Sequence, residues 1–208
     1  MKIGQIFGTP ISVEKFELDV ESLSKFCYDI KKIDSGRILS NAGGGWQSND
    51  LDIGKYFEEN ECYKMFVNNL VDYVRHFAKE LGIIPDVLIQ NMWINISKNG
   101  AYNRIHTHPN SVLSGCFYIK TPKNCGDINF MNPAGELMQA YLHSWNLMKG
   151  NLHQSPLAHF EWRVPVEENI IILFPSWIQH YVDDNNSNED RISISFNFGV
   201  IDNRDVNK

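Results

Sequence analysis

The chain holds few cysteines and none of them are spaced for a shared task. Cys27, Cys62, Cys116 and Cys125 are the only four in 208 residues. None stands in a Cys-x-x-Cys spacing, and Cys27 and Cys62 fall within helical patterns, so reduced structural thiols are expected rather than a thiolate cluster or disulfide scaffold. Basic charge is also scarce: 19 Lys and Arg stand against 25 Asp and Glu, for a formal net charge of -6. Only Lys31-Lys32 are adjacent, so no concentrated basic surface exists to neutralise a phosphate backbone, and a nucleic-acid partner is not expected. Long apolar runs are missing too. Met1 to Pro10 has no unbroken apolar core of signal-peptide length, and no later stretch approaches a membrane span, so a soluble, cytoplasmic protein with no membrane partner is expected. Internal repeats and low-complexity tracts are absent. The triplet Gly43-Gly44-Gly45 lacks the Lys and the preceding strand that a phosphate-binding loop needs, and is read as a flexible turn ahead of Trp46. Without a secretion signal, Asn95-Ile96-Ser97 and Asn185-Asn186-Ser187 are chance matches to the glycosylation triplet.

What is present suits one domain over 1–208, with a helical support region at 1–85 and a β core at 86–200. Asp19 is placed to cap a helix carrying Val20, Leu23, Phe26, Cys27, Ile30 and Ile33 at helical spacing. From about Glu58 a longer stripe runs through Cys62, Phe66, Val67, Leu70, Val71, Val74, Phe77, Ala78 and Leu81, with Gly82 as its stop. From Val87 the period drops to two. Strands are expected at 87–97, 102–108, 113–120, 127–131, 160–164, 169–174, 178–182 and 191–198, which suits a mainly β double-stranded jelly roll with helices over one outer face. Asp183 to Asp190 reads as a polar hairpin loop. The stretch 133–158, with Tyr141, His143, Trp145, Met148, His153 and Pro156, fits no strand and reads as a lid or a surface insertion.

Chemistry concentrates in two places. His106 and His108, two residues apart on an extended strand, point to one face, and a remote His180 is placed to close a three-sided metal site. Arg191 follows His180 by eleven positions, far enough for a returning antiparallel strand beside it, where its planar fork suits a carboxylate. Ser193 lies on the same strand face and Tyr118 is a further donor. The third ligand stays open. His108 can complete a neutral three-histidine set, it can turn away and leave two histidines and water, or a carboxylate such as Asp127 can take the place. Trp46, Trp93, Trp162 and Trp177 are read as core or cleft walls, His76, His143, His153 and His159 as ordinary side chains, and Pro175-Ser176-Trp177 as the tight bend that delivers His180.

The order of Gly44-Gly45-Trp46-Gln47-Ser48, Asn91-Met92-Trp93-Ile94-Asn95, His106-Thr107-His108-Pro109-Asn110-Ser111, Ser114-Gly115-Cys116-Phe117-Tyr118, Phe174-Pro175-Ser176-Trp177 and Phe196-Asn197 resembles the 2-oxoglutarate/iron(II) oxygenases found in phages and bacteria. The resemblance covers about 85 to 200 and the short upstream stretch. It implies a cupin-like jelly roll binding Fe(II), with 2-oxoglutarate chelating the metal and its far carboxylate meeting Arg191. Most relatives in the wider superfamily place Asp or Glu two residues after the first histidine; this chain has His108. The implied activity is a dioxygenase, consuming 2-oxoglutarate and dioxygen and hydroxylating a protein side chain or a small metabolite. The alternatives are a cupin-like metalloprotein that uses no 2-oxoglutarate and a non-enzymatic jelly-roll module such as a virion or sugar-binding component. A homodimer is compatible with the sequence.

Overall fold

The computed structural model describes residues 8–83, 86–135, 137 and 160–200. Its elements run β1 (Ser12–Lys15), α1 (Val20–Ile33), β2 (Asn41–Ala42), β3 (Trp46–Gln47), α2 (Ile53–Glu59), α3 (Glu61–Glu80), β4 (Val87–Ser97), β5 (Tyr102–His106), β6 (Leu113–Lys120), β7 (Ile128–Met131), β8 (Glu161–Val164), β9 (Ile170–Pro175), β10 (His180–Val182) and β11 (Arg191–Val200).

Each helix begins where a short polar side chain accepts a backbone N–H. Asp19 caps α1 at Ser22, Asp52 caps α2 at Lys55, and Asn60 caps α3 at Tyr63. The long stripe expected from Glu58 is therefore divided, because Asn60 is extended (φ -136°) and ends α2 while starting α3. Gly82, with φ +73°, stops α3. Leu23, Phe26, Cys27 and Ile30 face inward as expected, whereas Ile33 on the last turn of α1 is exposed.

The strands form two facing sheets with the orders β1-β9-β6-β11-β4-β3 and β2-β5-β10-β7-β8. All named pairings are antiparallel, and successive strands from β4 onward cross between the sheets at most connections, which is the double-stranded β-helix of a jelly roll. All eight expected strands of the β half form. The second expected strand stops at His106 rather than His108, because the His108 N–H leaves the ladder to donate to Ser176 O. Strands β1, β2 and β3 carry no alternating apolar pattern, and only their partners reveal them: β1 pairs with β9, β2 with β5 and β3 with β4.

Alternation along β4 and β11 separates two environments. Met92, Ile94, Ile96, Ile192, Ile194, Phe196 and Phe198 pack outward against Phe26, Tyr63, Phe66, Leu70 and Val74 of the helices, forming the larger core. A smaller core, with Cys116, Tyr118, Ile128, Phe130, Ile172, Phe174 and Ile178, lies between the sheets. Of the remaining inward positions on β4 and β11, Trp93 and the polar Asn95, Ser97, Arg191, Ser193 and Ser195 line the cavity described next.

The turn through Gly43 and Gly44 is a fixed connection from one sheet to the other. Gly43 has φ +63°, and a Cβ there would stand 1.9 Å from Gly100 O, so only glycine fits. The 183–190 segment is likewise no hairpin, since β10 and β11 belong to different sheets. It is a crossover held by the fully buried Asn185, whose Nδ2 donates to Ser97 O at 2.7 Å and Glu189 O at 2.8 Å. The 133–158 stretch, apart from its first residues, lies outside the described residues, as does His159. Among the described residues no helix is long and apolar enough to cross a membrane.

Candidate metal centre

Pairing across the five-stranded sheet sets His106 of β5 directly opposite His180 of β10. His108 follows the end of β5, tied by its backbone to the Pro175-Ser176-Trp177 bend, and its ring stacks between Trp93 (5.7 Å) and His180 (5.0 Å). One ligand atom from each of His106, His108 and His180 lies within 4.8 Å of the others, and no carboxylate joins them among the described residues.

The outer nitrogens of all three rings are held. His106 Nδ1 lies 2.6 Å from Arg104 O, His180 Nδ1 3.0 Å from Ile178 O, and His108 Nδ1 2.6 Å from Asn197 Oδ1. Protons on these nitrogens leave the Nε2 lone pairs convergent. His108 Nε2 and His180 Nε2 are only 3.2 Å apart, a separation that two imidazoles sharing one cation at about 2.0–2.1 Å each can span. Burial lowers the pKa of all three below the ordinary histidine value. For His108 it reaches about 4, with neighbouring His106 adding to the effect and the Asn197 contact opposing it. Neutral imidazoles at pH 7 are the form a divalent metal requires. This donor set fits an iron(II) ion.

Arg191 reaches the cavity from the opposite sheet. Its strand pairs with β4 and β6, not with β10, so the clamp expected beside His180 faces it across the barrel instead. The reason is the buried Asn185 crossover, which carries the chain over before β11 begins. Arg191 is 2% exposed. Nη1 donates to Cys125 O and to Asp183 O at 3.0 Å, while the buried Nη2 has no hydrogen-bond partner. Gly126 makes this close approach feasible: with φ +84°, any Cβ would meet Asp183 O and Asp184 O at 2.7 Å. An unpartnered buried guanidinium nitrogen suits an anionic ligand. Ser193 and Tyr118, register partners on β11 and β6, line the same cavity, and burial raises the Tyr118 pKa so far that its phenol stays an O–H donor. These groups fit the distal carboxylate of 2-oxoglutarate.

Asp127 does not reach the histidines. Its Oδ1 accepts from Val166 N at 3.1 Å, and its Oδ2 stands 4.0 Å from Arg163. Trp93 lines the cavity and Trp46 packs on the larger core, as expected of walls. Trp162 and Trp177 are instead 54% and 57% exposed, because they sit on the last strand of the smaller sheet and on the tight bend. His76 is exposed on α3. The sequence reading overlooked Asn197, Asn95 and Ser195, although the two-residue period running from Arg191 through Ser193 already points them or their register partners to the cavity side.

Fold and site together define a jelly-roll metalloprotein with an imidazole cluster facing a buried arginine. The profile of the 2OG-Fe(II) oxygenase family matches residues 91–197, just over half of the chain, and the chain belongs to that family, whose cofactors are Fe(II) and 2-oxoglutarate. Among solved structures, a Pseudomonas putida prolyl-4-hydroxylase aligns at a TM-score of 0.64 and 14% identity, over 93% of this chain and 94% of that one. The viral collagen prolyl hydroxylase of Paramecium Bursaria Chlorella virus-1, solved as a 2OG complex, aligns at 0.57 and 10% identity, over 92% and 96%. HygX from Streptomyces hygroscopicus, solved with nickel and 2-oxoglutarate bound, aligns at 0.55 and 8%, over 92% and 83%. At such identities the likeness is one of fold. A search of curated proteins gives no sequence match.

Proposed function

We propose that the chain hydroxylates a C–H bond of a protein side chain or a small metabolite, with His106, His108 and His180 holding iron(II) and with Arg191, Ser193 and Tyr118 binding the far carboxylate of 2-oxoglutarate. One observation carries the assignment: three imidazoles converge in a cavity that is also lined by Arg191, whose buried Nη2 has no hydrogen-bond partner. When bound, the iron and its co-substrate couple decarboxylation of 2-oxoglutarate by dioxygen to oxidation of the substrate. The chain's own residues bind and orient. Carbonyl contacts fix Arg191 before the co-substrate arrives, so little rotamer freedom is lost on binding. Trp93 stacks on His108 and Phe174 packs against His180, giving the histidine end of the cavity an aromatic wall. Three histidines add no negative charge, so the metal retains its full positive charge toward the dianionic co-substrate.

On this reading the chain is one domain over 1–208, with 1–85 supporting the jelly roll of 86–200. The test is titration of 2-oxoglutarate into the anaerobic Fe(II) protein beside the same titration with Arg191→Ala. A charge-assisted contact is worth about 1.5–3 kcal/mol, so the variant should bind roughly tenfold or more weakly while keeping its metal. Arg191→Lys should fall between the two, having the charge without the fork. Equal binding by Arg191→Ala would falsify the clamp, and no saturable binding by wild type would put the cupin-like reading without 2-oxoglutarate in its place.

A further inference from the structure

We propose that Asn197 is a positioning residue that selects the ligating tautomer of His108, so that the amide pair Asn197–Asn91 decides whether the third imidazole is open to the metal. The inference rests on the three-histidine reading above.

The three histidines are not held alike. His106 and His180 place Nδ1 against the backbone carbonyls of Arg104 and Ile178. A carbonyl only accepts, so each ring must carry its proton on Nδ1 and offer a lone pair at Nε2. His108 alone is held by a side chain, with Nδ1 2.6 Å from Asn197 Oδ1. A primary amide has an accepting end and a donating end. With oxygen toward His108, the ring keeps its proton on Nδ1 and Nε2 is a ligand. Turned over, the amide would donate to Nδ1, the proton would move to Nε2, and His108 would hydrogen-bond to His180 Nε2, 3.2 Å away. In that state the third ligand is closed.

The surrounding network permits either polarity as a set. Asn197 Oδ1 also lies 2.7 Å from the Ser114 hydroxyl, which is 2.7 Å from the Ser176 hydroxyl, and Asn197 Nδ2 lies 2.9 Å from Asn91 Oδ1. Hydroxyls donate or accept as needed, and Asn91 is itself an amide able to turn with its neighbour. Asn197 is 7% exposed and Ser114 fully buried, so the choice is made within the protein. A metal at the three Nε2 atoms accepts only the state with the Asn197 oxygen on His108.

The experiment is calorimetric titration of Co(II) into the metal-free protein, with the visible absorption of the bound ion. Asn197→Leu should weaken Co(II) by about 10–100-fold, the usual loss when a ligand's supporting partner is removed, and shift the absorption toward that of His108→Ala. Asn197→Asp, which only accepts, should restore at least wild-type affinity. The double variant His108→Ala/Asn197→Leu should bind as His108→Ala does. Wild-type Co(II) binding by Asn197→Leu, with His108→Ala impaired, overturns the positioning role; wild-type binding by His108→Ala overturns the three-histidine reading instead. Should Asn197→Leu fail to fold, Asn91→Asp decides the matter from a half-buried position. It can only accept from Asn197, so it locks the oxygen onto His108. Tighter Co(II) binding, together with an imidazole ¹⁵N signature of a proton on His108 Nδ1, is expected. Unchanged or weaker binding counts against the proposal.

Discussion

At His108 the chain departs from the carboxylate that most of the wider superfamily places there, and the cluster keeps three neutral rings. His108→Asp should retain one equivalent of metal, since a carboxylate at this place recreates the commoner set, whereas His108→Ala should weaken it markedly; direct metal titration checks both. Loss of binding is also expected of His106→Ala and His180→Ala. Acid should act later than for a solvated histidine. The ordinary value near 6.5 predicts loss of metal below that pH, but burial holds all three rings lower and His108 at about 4. Protons compete only below the pKa of the metal-free site, so affinity should persist as pH falls through 6.5 and decline toward 4. Titrations stepped from pH 7 to pH 4 test this, and a midpoint at 6.5 would mean open, hydrated imidazoles.

Among the elements, β11 does the most, because its two faces serve different ends: apolar residues hold the helices, and Arg191, Ser193, Ser195 and Asn197 face the cavity or its polar network. The crossover before it sets where Arg191 stands. Asn185→Ala would leave the buried carbonyl of Ser97 without this donor, at about 1–3 kcal/mol, and remove the part-buried contact to the Glu189 carbonyl, so it should lower the thermal midpoint. Gly126→Ala attacks the same arrangement from the other side, since its Cβ would displace the Asp183 carbonyl that holds Arg191. It should weaken 2-oxoglutarate more than metal. The reverse order in paired titrations would mean that the arginine is positioned by other contacts.

For the whole molecule, the site lies between sheets whose outer support is a separate, larger core. Metal bound only by the folded state should therefore raise the thermal midpoint, by about 2.7 kcal/mol of stability at a hundredfold excess over Kd. Without metal, the depressed histidines make stability pH-dependent. The unfolded chain binds more protons than the folded one between the ordinary histidine value and the lower folded values, so stability is fully present above about 6.5 and is lost as pH falls toward 4. Denaturant midpoints for the metal-free protein at pH 7 and pH 5 should differ in that direction.

Periodicity alone was enough for α1, the long stripe of α3, all eight strands of the β half and the covering of one face by helices, because burial imposes a 3.6- or 2-residue rhythm on any segment with one wet side. Residue type and order pointed to His106, His108, His180, Arg191, Ser193 and Tyr118, which the fold brings to one cavity, since few side chains suit metal or carboxylate. Pairing was beyond the sequence. The two-residue strands β2 and β3 have no rhythm to read, the break at Asn60 depends on one residue's backbone angles, and the 183–190 crossover looks like any polar hairpin until Asn185 is seen buried against Ser97 and Ala101. The partner of His108 was also out of reach. Asn197 lies 89 positions away, and a hydrogen bond between such residues exists only once the two sheets have closed on each other.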